Sequence, residues 1–219
     1  MNIDEVLRTT RAVRKRLDLE RDVPTELLVE CIELASQAPT KRNHQHWRFV
    51  VVRDAGLRAQ VAKQYKEAWY QIDRSKHDAY GPNDPRSRTL PRVLESAKYL
   101  ADHLHEVPVL VVPCIGGRTP VDAAPGHLIA ELASVLPAMW SFMLAARARG
   151  LGTVLTTTHL AREEEVARIL EIPYHAVTQV GLVPVAYALG ENFSAASRLP
   201  ISSLVCWDAW SEPDGPTRR

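Results

Sequence analysis

The stretch LIAELASVLPAMWSFMLAARARGLGTVLTTT, Leu128 to Thr158, decides how the chain folds. Its middle, Val135 to Arg147, is apolar on nearly every side (Val135, Leu136, Ala138, Met139, Trp140, Phe142, Met143, Leu144). A surface helix carries one apolar stripe, so a helix that is apolar all round is buried on several faces. The run is too short for a membrane span, which needs about 20 apolar residues, and Pro137 and Ser141 interrupt it. Proline inside a helix costs about 3 kcal/mol, so a kink or a helix start is expected at Pro137. Arg147 and Arg149 suit the negative end of the helix dipole, and Gly150 is placed to cap it. Leu151 to Thr157 then reads as a buried, β-branched strand. A central helix running into a central strand is the hub of a layered structure.

Outward from the hub, the same pattern repeats. Residues 2–10 predict a short helix with Asn2 as cap and Ile3, Val6 and Leu7 on one face. Pro24 opens a second helix that Pro39 ends. WRFVVV, Trp47 to Val52, predicts a buried strand, and a helix follows from Ala55 to Gln71. The proline-bearing region from Arg74 to Arg92 predicts a mobile loop, of the kind that covers ligand sites. A helix over 92–105, a strand over 107–113, a short helix over 162–170 and a strand over 176–188 complete the order. The glutamates at 163–165 read as dipole and solvation chemistry, with Glu164 paired to Arg168. Strands alternating with helices indicate a three-layer α/β/α sandwich. With 219 residues the chain is read as one domain over residues 1–210, with 211–219 as a flexible tail.

Bulk charge excludes some partners. The net charge is +1, so no basic field invites nucleic acid or a membrane surface. Three scattered cysteines fit reduced thiols rather than a disulfide framework, and the first ten residues lack a signal-peptide run. The expected location is cytoplasmic.

Known catalytic patterns are absent. His44 and His46, and His103 and His105, are spaced so that neither pair shares a helix face, and neither CxxC nor HExxH occurs, so no metal is expected. Neither a GxSxG elbow nor a GxGxxG or P-loop motif occurs either. What remains is a set of cations and amides beside structured segments: Arg11, Arg14, Lys41 and Arg198, with Asn43, Gln45 and Thr156, Thr157 and Thr158. Together they would suit a phosphorylated, polar-edged aromatic ligand. Each alone is more often a surface residue, and spacing does not bring them together.

Four segments resemble the nitroreductase family of flavoproteins, in the family's order. Arg11-Ala-Val-Arg14 resembles its N-terminal Arg-Ser-x-Arg. Ala38-Pro-Thr-Lys-Arg-Asn-His-Gln-His-Trp47 resembles its APSGGNxQPW loop. Ala145 to Thr153 resembles the end of its central helix, and Val183 to Gly190, with Arg198-Leu-Pro200 and Trp207-Asp208, its C-terminal pattern. The resemblance implies an α+β fold with a mixed central sheet flanked by helices, in an intertwined homodimer with FMN at the subunit interface. It implies that Arg11 and Arg14 contact the flavin's phosphate and pyrimidine end, with Ala12 contributing backbone. Pro39, Thr40, Lys41 and Asn43 would come from the second subunit. Thr156 to Thr158 would lie along the ring, and Arg198 would hold the phosphate. Cations at the pyrimidine end suit a ring that gains negative charge on reduction. Ala12 stands where serine is usual, Lys41 and Arg42 where glycines are, His46 where proline is, and Trp140-Ser141 where Gln-Asn is common.

The implied activity is NAD(P)H-driven reduction of nitroaromatic or quinone-like acceptors by ping-pong two-electron transfer, with no protein nucleophile. A flavin-binding protein without turnover, used for sequestration or sensing, is one alternative. A family branch with another reaction, reductive dehalogenation or flavin breakdown, is the other.

Overall fold

The computed structural model describes residues 1–72, 80–81, 84–120, 122, 124–190 and 192–211. Parts of the loop expected over 74–92 and all but the first residue of the 211–219 tail lie outside them. The elements are α1 (Ile3–Thr9), α2 (Thr25–Ala35), β1 (Trp47–Val52), α3 (Ala55–Gln71), α4 (Leu90–His103), β2 (Val109–Gly116), α5 (Pro125–Ala148), β3 (Leu151–Thr153), α6 (Glu163–Ile169), β4 (Val177–Gln179) and β5 (Val183–Tyr187). Local chemistry sets several boundaries. The Asn2 side chain accepts from the Glu5 amide at 2.9 Å and starts α1, and Asp54 accepts from Leu57 at 2.8 Å and starts α3.

The sheet order is β1-β2-β5-β3, with β4 also paired to β2, and all four ladders are antiparallel. Among the described residues the parallel component is a single bridge, Ala12 to Thr153, which adds the N-terminal segment beside β3. Side chains alternate across the sheet. Val109, Val111, Ile115, Val183 and Val185 face α2 and α5, together with Met139 and Phe142. Leu110, Val112, Cys114, Leu182 and Ala186 face the other layer, with Tyr65, Leu100 and Val166 from α3, α4 and α6. Helices therefore cover both faces, and β2 is buried from Val109 to Ile115. Burial raises the Cys31 thiol to about 11 and the Cys114 thiol to about 12, which leaves both unreactive at neutral pH.

The central helix differs from its reading in the sequence. It runs 24 residues, about 36 Å, and passes through Pro137 without ending. The proline in its first turn is Pro125. Pro137 withholds a donor from the Ala133 carbonyl, and Ala133 is exposed, so that carbonyl is open to solvent. The helix is thus long and apolar enough by composition to cross a membrane, contrary to the shorter segment read from sequence. Here its buried side packs on α2 and the sheet.

The strand expected over 176–188 is two strands. Cys114 faces Gln179 and Val111 faces Val183, so three steps along β2 match four along the segment from β4 to β5, a β-bulge at 180–182. Gly181 sits in the bulge, where an added Cβ would lie 2.5 Å from Leu155 Cδ1 and 3.3 Å from the Thr156 carbonyl oxygen. The bulge hands Leu182 to Thr156: their backbones exchange both hydrogen bonds, at 2.9 and 2.8 Å. The strand expected to reach Thr157 accordingly stops at Thr153, and residues beyond it are held by this bridge instead.

Candidate functional site

Arg198 apart, the expected site residues fall into two groups at opposite edges of the sheet. The first lies beside β3. Ala12 bridges Thr153 and the Val13 amide donates to the Thr153 carbonyl at 2.9 Å, which brings Arg11 to Arg14 next to the chain leading to Thr156–Thr158. Val13 and Leu17 are buried, and a Cβ on Gly152 would lie 2.9 Å from Val13 Cγ1, so glycine permits this close approach. The cations of the segment diverge. Lys15 pairs with Glu95 at 2.5 Å; Arg16 donates to the carbonyls of Leu189 and Asn192; Arg11 donates to the Ser194 carbonyl at 3.2 Å.

Arg14 is the inward one. Its Nη1 reaches Ser96 Oγ at 3.3 Å, and burial lowers the guanidinium's pKa from its ordinary value, with only Tyr65 acting the other way. No carboxylate among the described residues pairs with it. Tyr65 Oη lies 3.0 Å from Thr156 Oγ1, which lies 3.4 Å from Thr158 Oγ1. This corner combines a half-buried cation that lacks an anion with three hydroxyls. It fits a polar-edged ring that carries negative charge.

The second group precedes β1. Arg42, Asn43 and Gln45 all have left-handed φ, 50°, 58° and 49°, a strained run for residues with side chains. The turn is anchored on α5. The Lys41 amide donates to Ser134 Oγ at 3.0 Å, Lys41 Nζ pairs with Glu131 at 2.6 Å, and His46 Nε2 meets the same carboxylate at 2.9 Å. Lys41 first, then His46, holds the Glu131 carboxyl below its usual range against the opposing effect of burial. An open cleft of about 450 Å³ lies between this turn, the end of β2 and the first turns of α5. Pro39 and Asn43 are exposed, while Thr40 and Lys41 are half-buried.

Arg198 joins neither group. It is exposed and donates to the neighbouring Ser197 carbonyl at 3.4 Å. It lies on an arm whose root is fixed: the Phe193 ring has the Arg16 guanidinium at 4.1 Å and that of Arg147 at 4.2 Å. Beyond it Ile201, Leu204, Trp207 and Trp210 are exposed, and so are Ile129, Leu136 and Trp140 along one stripe of α5.

Sequence reading missed the residues beneath the Thr156–Thr158 segment. Glu163 is not solvated: it accepts from Arg118 at 2.6 Å and from the Gln179 amide at 3.0 Å. Glu164 forms no described pair with Arg168; Arg162 and Glu165 pair instead at 3.6 Å. His159 is fully buried, and neither ring nitrogen has a hydrogen-bond partner among the described residues. Burial pushes its pKa down to about 4, and the nearby Gln179 amide, not in hydrogen-bonding geometry, offsets little. The sequence signal for it is weak, a histidine between Thr158 and Leu160 in a turn that also holds Arg162.

The sequence profile of the nitroreductase family matches residues 7–187. The chain belongs to the nitroreductase family. Members of the nitroreductase family are oxidoreductases that work with FMN, and this chain is one of them. It is 28% identical over 218 residues to the NADH dehydrogenase of Thermus thermophilus, covering 92% of this chain and 97% of that one. It is 24% identical over 189 residues to a Methanothermobacter thermautotrophicus protein whose name pairs NADH dehydrogenase with NAD(P)H nitroreductase, covering 85% and 78%. Its fold is similar to that of an iodotyrosine deiodinase solved with FMN and 3-iodo-L-tyrosine, with a TM-score of 0.69 at 20% identity, over 95% of this chain and all of that one.

Proposed function

We propose that this nitroreductase-family protein uses NAD(P)H to reduce nitroaromatic or quinone-like acceptors, as a homodimer with FMN between the subunits. One observation carries the reading: Arg14, half-buried and without a carboxylate partner among the described residues, interacts with Tyr65, whose hydroxyl meets that of Thr156. FMN, when bound, supplies the two-electron chemistry, in a ping-pong cycle, and no protein nucleophile is required. The chain's own residues bind and orient. Arg14 and Arg11 would meet the pyrimidine end and phosphate, where a forked guanidinium holds an anion best, with Ala12 giving backbone contact. Thr156, Thr157 and Thr158 would lie along the ring.

Support for the dimer comes from the separation of the two groups. Pro39, Thr40, Lys41 and Asn43 stand at the β1 edge, away from Arg14, and a second copy would supply that set. The exposed stripe Ile129, Leu136 and Trp140 on α5, with the apolar arm after Arg198, offers the surface such a copy needs. The same arm would carry Arg198 to the phosphate.

The test is direct. Purified protein is expected to be yellow, to release FMN identified by mass spectrometry, and to oxidise NAD(P)H in the presence of a nitroaromatic or quinone. A protein that takes up no FMN would refute the reading. FMN uptake without turnover would favour a sequestering or sensing role, and turnover confined to a halogenated aromatic would favour dehalogenation.

A further inference from the structure

Tyr65 lies in none of the four segments that resemble the family, yet it reaches the candidate site from the far layer. It sits on α3 with 2% of its surface exposed, among Val61, Leu100 and Leu182 of the core. A phenol in that setting must place its hydroxyl on a partner, since an unpaired buried hydroxyl costs about 1–3 kcal/mol. The partner is Thr156 Oγ1, at 3.0 Å. Thr156 is well fixed to receive it, because its backbone N–H and C=O are both taken by Leu182 across the bulge. Only its hydroxyl is free to respond.

The direction of the chain of hydroxyls follows from acidity. A phenol is a stronger acid than an aliphatic alcohol, which favours Tyr65 as the donor and Thr156 as the acceptor. With that order the Thr156 hydroxyl would turn toward Thr158 Oγ1, 3.4 Å away, leaving the Thr158 proton to point outward. Thr158 is half-buried and next to the exposed Thr157, so the outward end of the chain opens on the site while its origin is in the core. Chained donors of this kind polarise one another.

Resting on the FMN reading above, we propose that Tyr65 is a positioning residue for the cofactor. It holds Thr156 and Thr158 as a one-way series of donors that ends on a carbonyl or ring nitrogen of the flavin. Arg14 brings charge to the same corner, and Tyr65 sets where the neutral donors point. Donors aimed at an atom that gains negative charge strengthen when the charge arrives, so they favour the reduced ring over the oxidised one.

Tyr65→Phe removes one oxygen and keeps the ring that fills the core, and Thr156→Val removes the acceptor. Each is measured for FMN affinity by fluorescence quenching of apoprotein, for midpoint potential of the bound flavin, and for melting temperature. Both variants are expected to bind FMN about threefold to tenfold more weakly. The potential is expected to fall, by about 30 mV for each tenfold by which reduced-form binding drops more than oxidised-form binding. The double variant should be no worse than either single one, because both break the same link. Thr156→Ser keeps the hydroxyl and should recover most of the loss, which also covers the case in which Tyr65→Phe folds poorly. Wild-type affinity and potential in Tyr65→Phe, with only the melting temperature altered, would show that Tyr65 merely packs the core. Wild-type protein that binds no FMN would overturn the flavin reading and this inference together.

Discussion

Acid should loosen this protein through His159 in particular. The imidazole is fully buried, neither ring nitrogen has a partner among the described residues, and burial holds its pKa at about 4. In the unfolded chain the same group titrates near 6.5. The folded state therefore binds fewer protons between these values, and stability falls as pH drops through 6.5, levelling off near 4. With those two constants the loss at pH 5 relative to pH 7.5 is about 2 kcal/mol. For a chain of this size that is about 4–8 °C in melting temperature. Carboxylates contribute an acid slope of their own, so the measurement is a difference. Wild type and His159→Leu are melted at pH 7.5 and pH 5, by circular dichroism, with FMN content held equal. The variant is expected to lose less on acidification, by about 2 kcal/mol. An equal loss in both proteins would show that His159 is not a buried neutral imidazole, or that water reaches it.

Three further outcomes are expected, the first resting on the proposed function and the other two on the geometry. Arg198→Ala should weaken FMN binding by roughly tenfold to a hundredfold, as loss of a charge-assisted contact of about 1.5–3 kcal/mol requires, and Arg198→Lys should restore only part; equal affinities by fluorescence titration would remove Arg198 from the phosphate. Gly181→Ala forces a Cβ against Leu155 and the Thr156 carbonyl and should destabilise by about 1–3 kcal/mol, with weaker FMN binding as Thr156 shifts; an unchanged melting curve would show that the bulge has room. Leu136→Asp, on the exposed stripe of α5, should convert a dimer to a monomer in light scattering at micromolar concentration; a dimer that persists places the interface elsewhere.

Local chemistry made some of the molecule legible. Trp47–Val52 and Ala55–Gln71 have the bounds read from sequence, because an apolar run ends at an aspartate that caps the next helix. The sandwich followed from the alternation of such elements. What failed depended on tertiary partners. Pro137 does not start the helix, which runs through it from Pro125, since the Ala133 carbonyl that it leaves unpaired is exposed and the buried side of the helix is held by the sheet and α2. The bulge at 180–182 is a mismatch between two strands, and one strand's sequence cannot show it. In the site, the charges and threonines were visible as residue types and through resemblance. Tyr65, Glu163 and His159 were not, because each acts through a neighbour distant in the chain.

The bridge from Ala12 to Thr153 and the bond from the Asp18 amide to the Tyr187 carbonyl also carry a timetable. Contacts between residues so far apart close late, because chain entropy opposes them until the intervening elements are in place. On a ribosome adding about 5–20 residues per second, Asp18 waits roughly ten to thirty seconds for Tyr187 to be made. Through that interval the arginine-bearing segment has nowhere to dock, and α5 emerges before β5, the strand that completes its apolar seat. The corner that would grip the flavin is then among the last parts of the molecule to exist, so any cofactor in the cell meets a nearly finished protein.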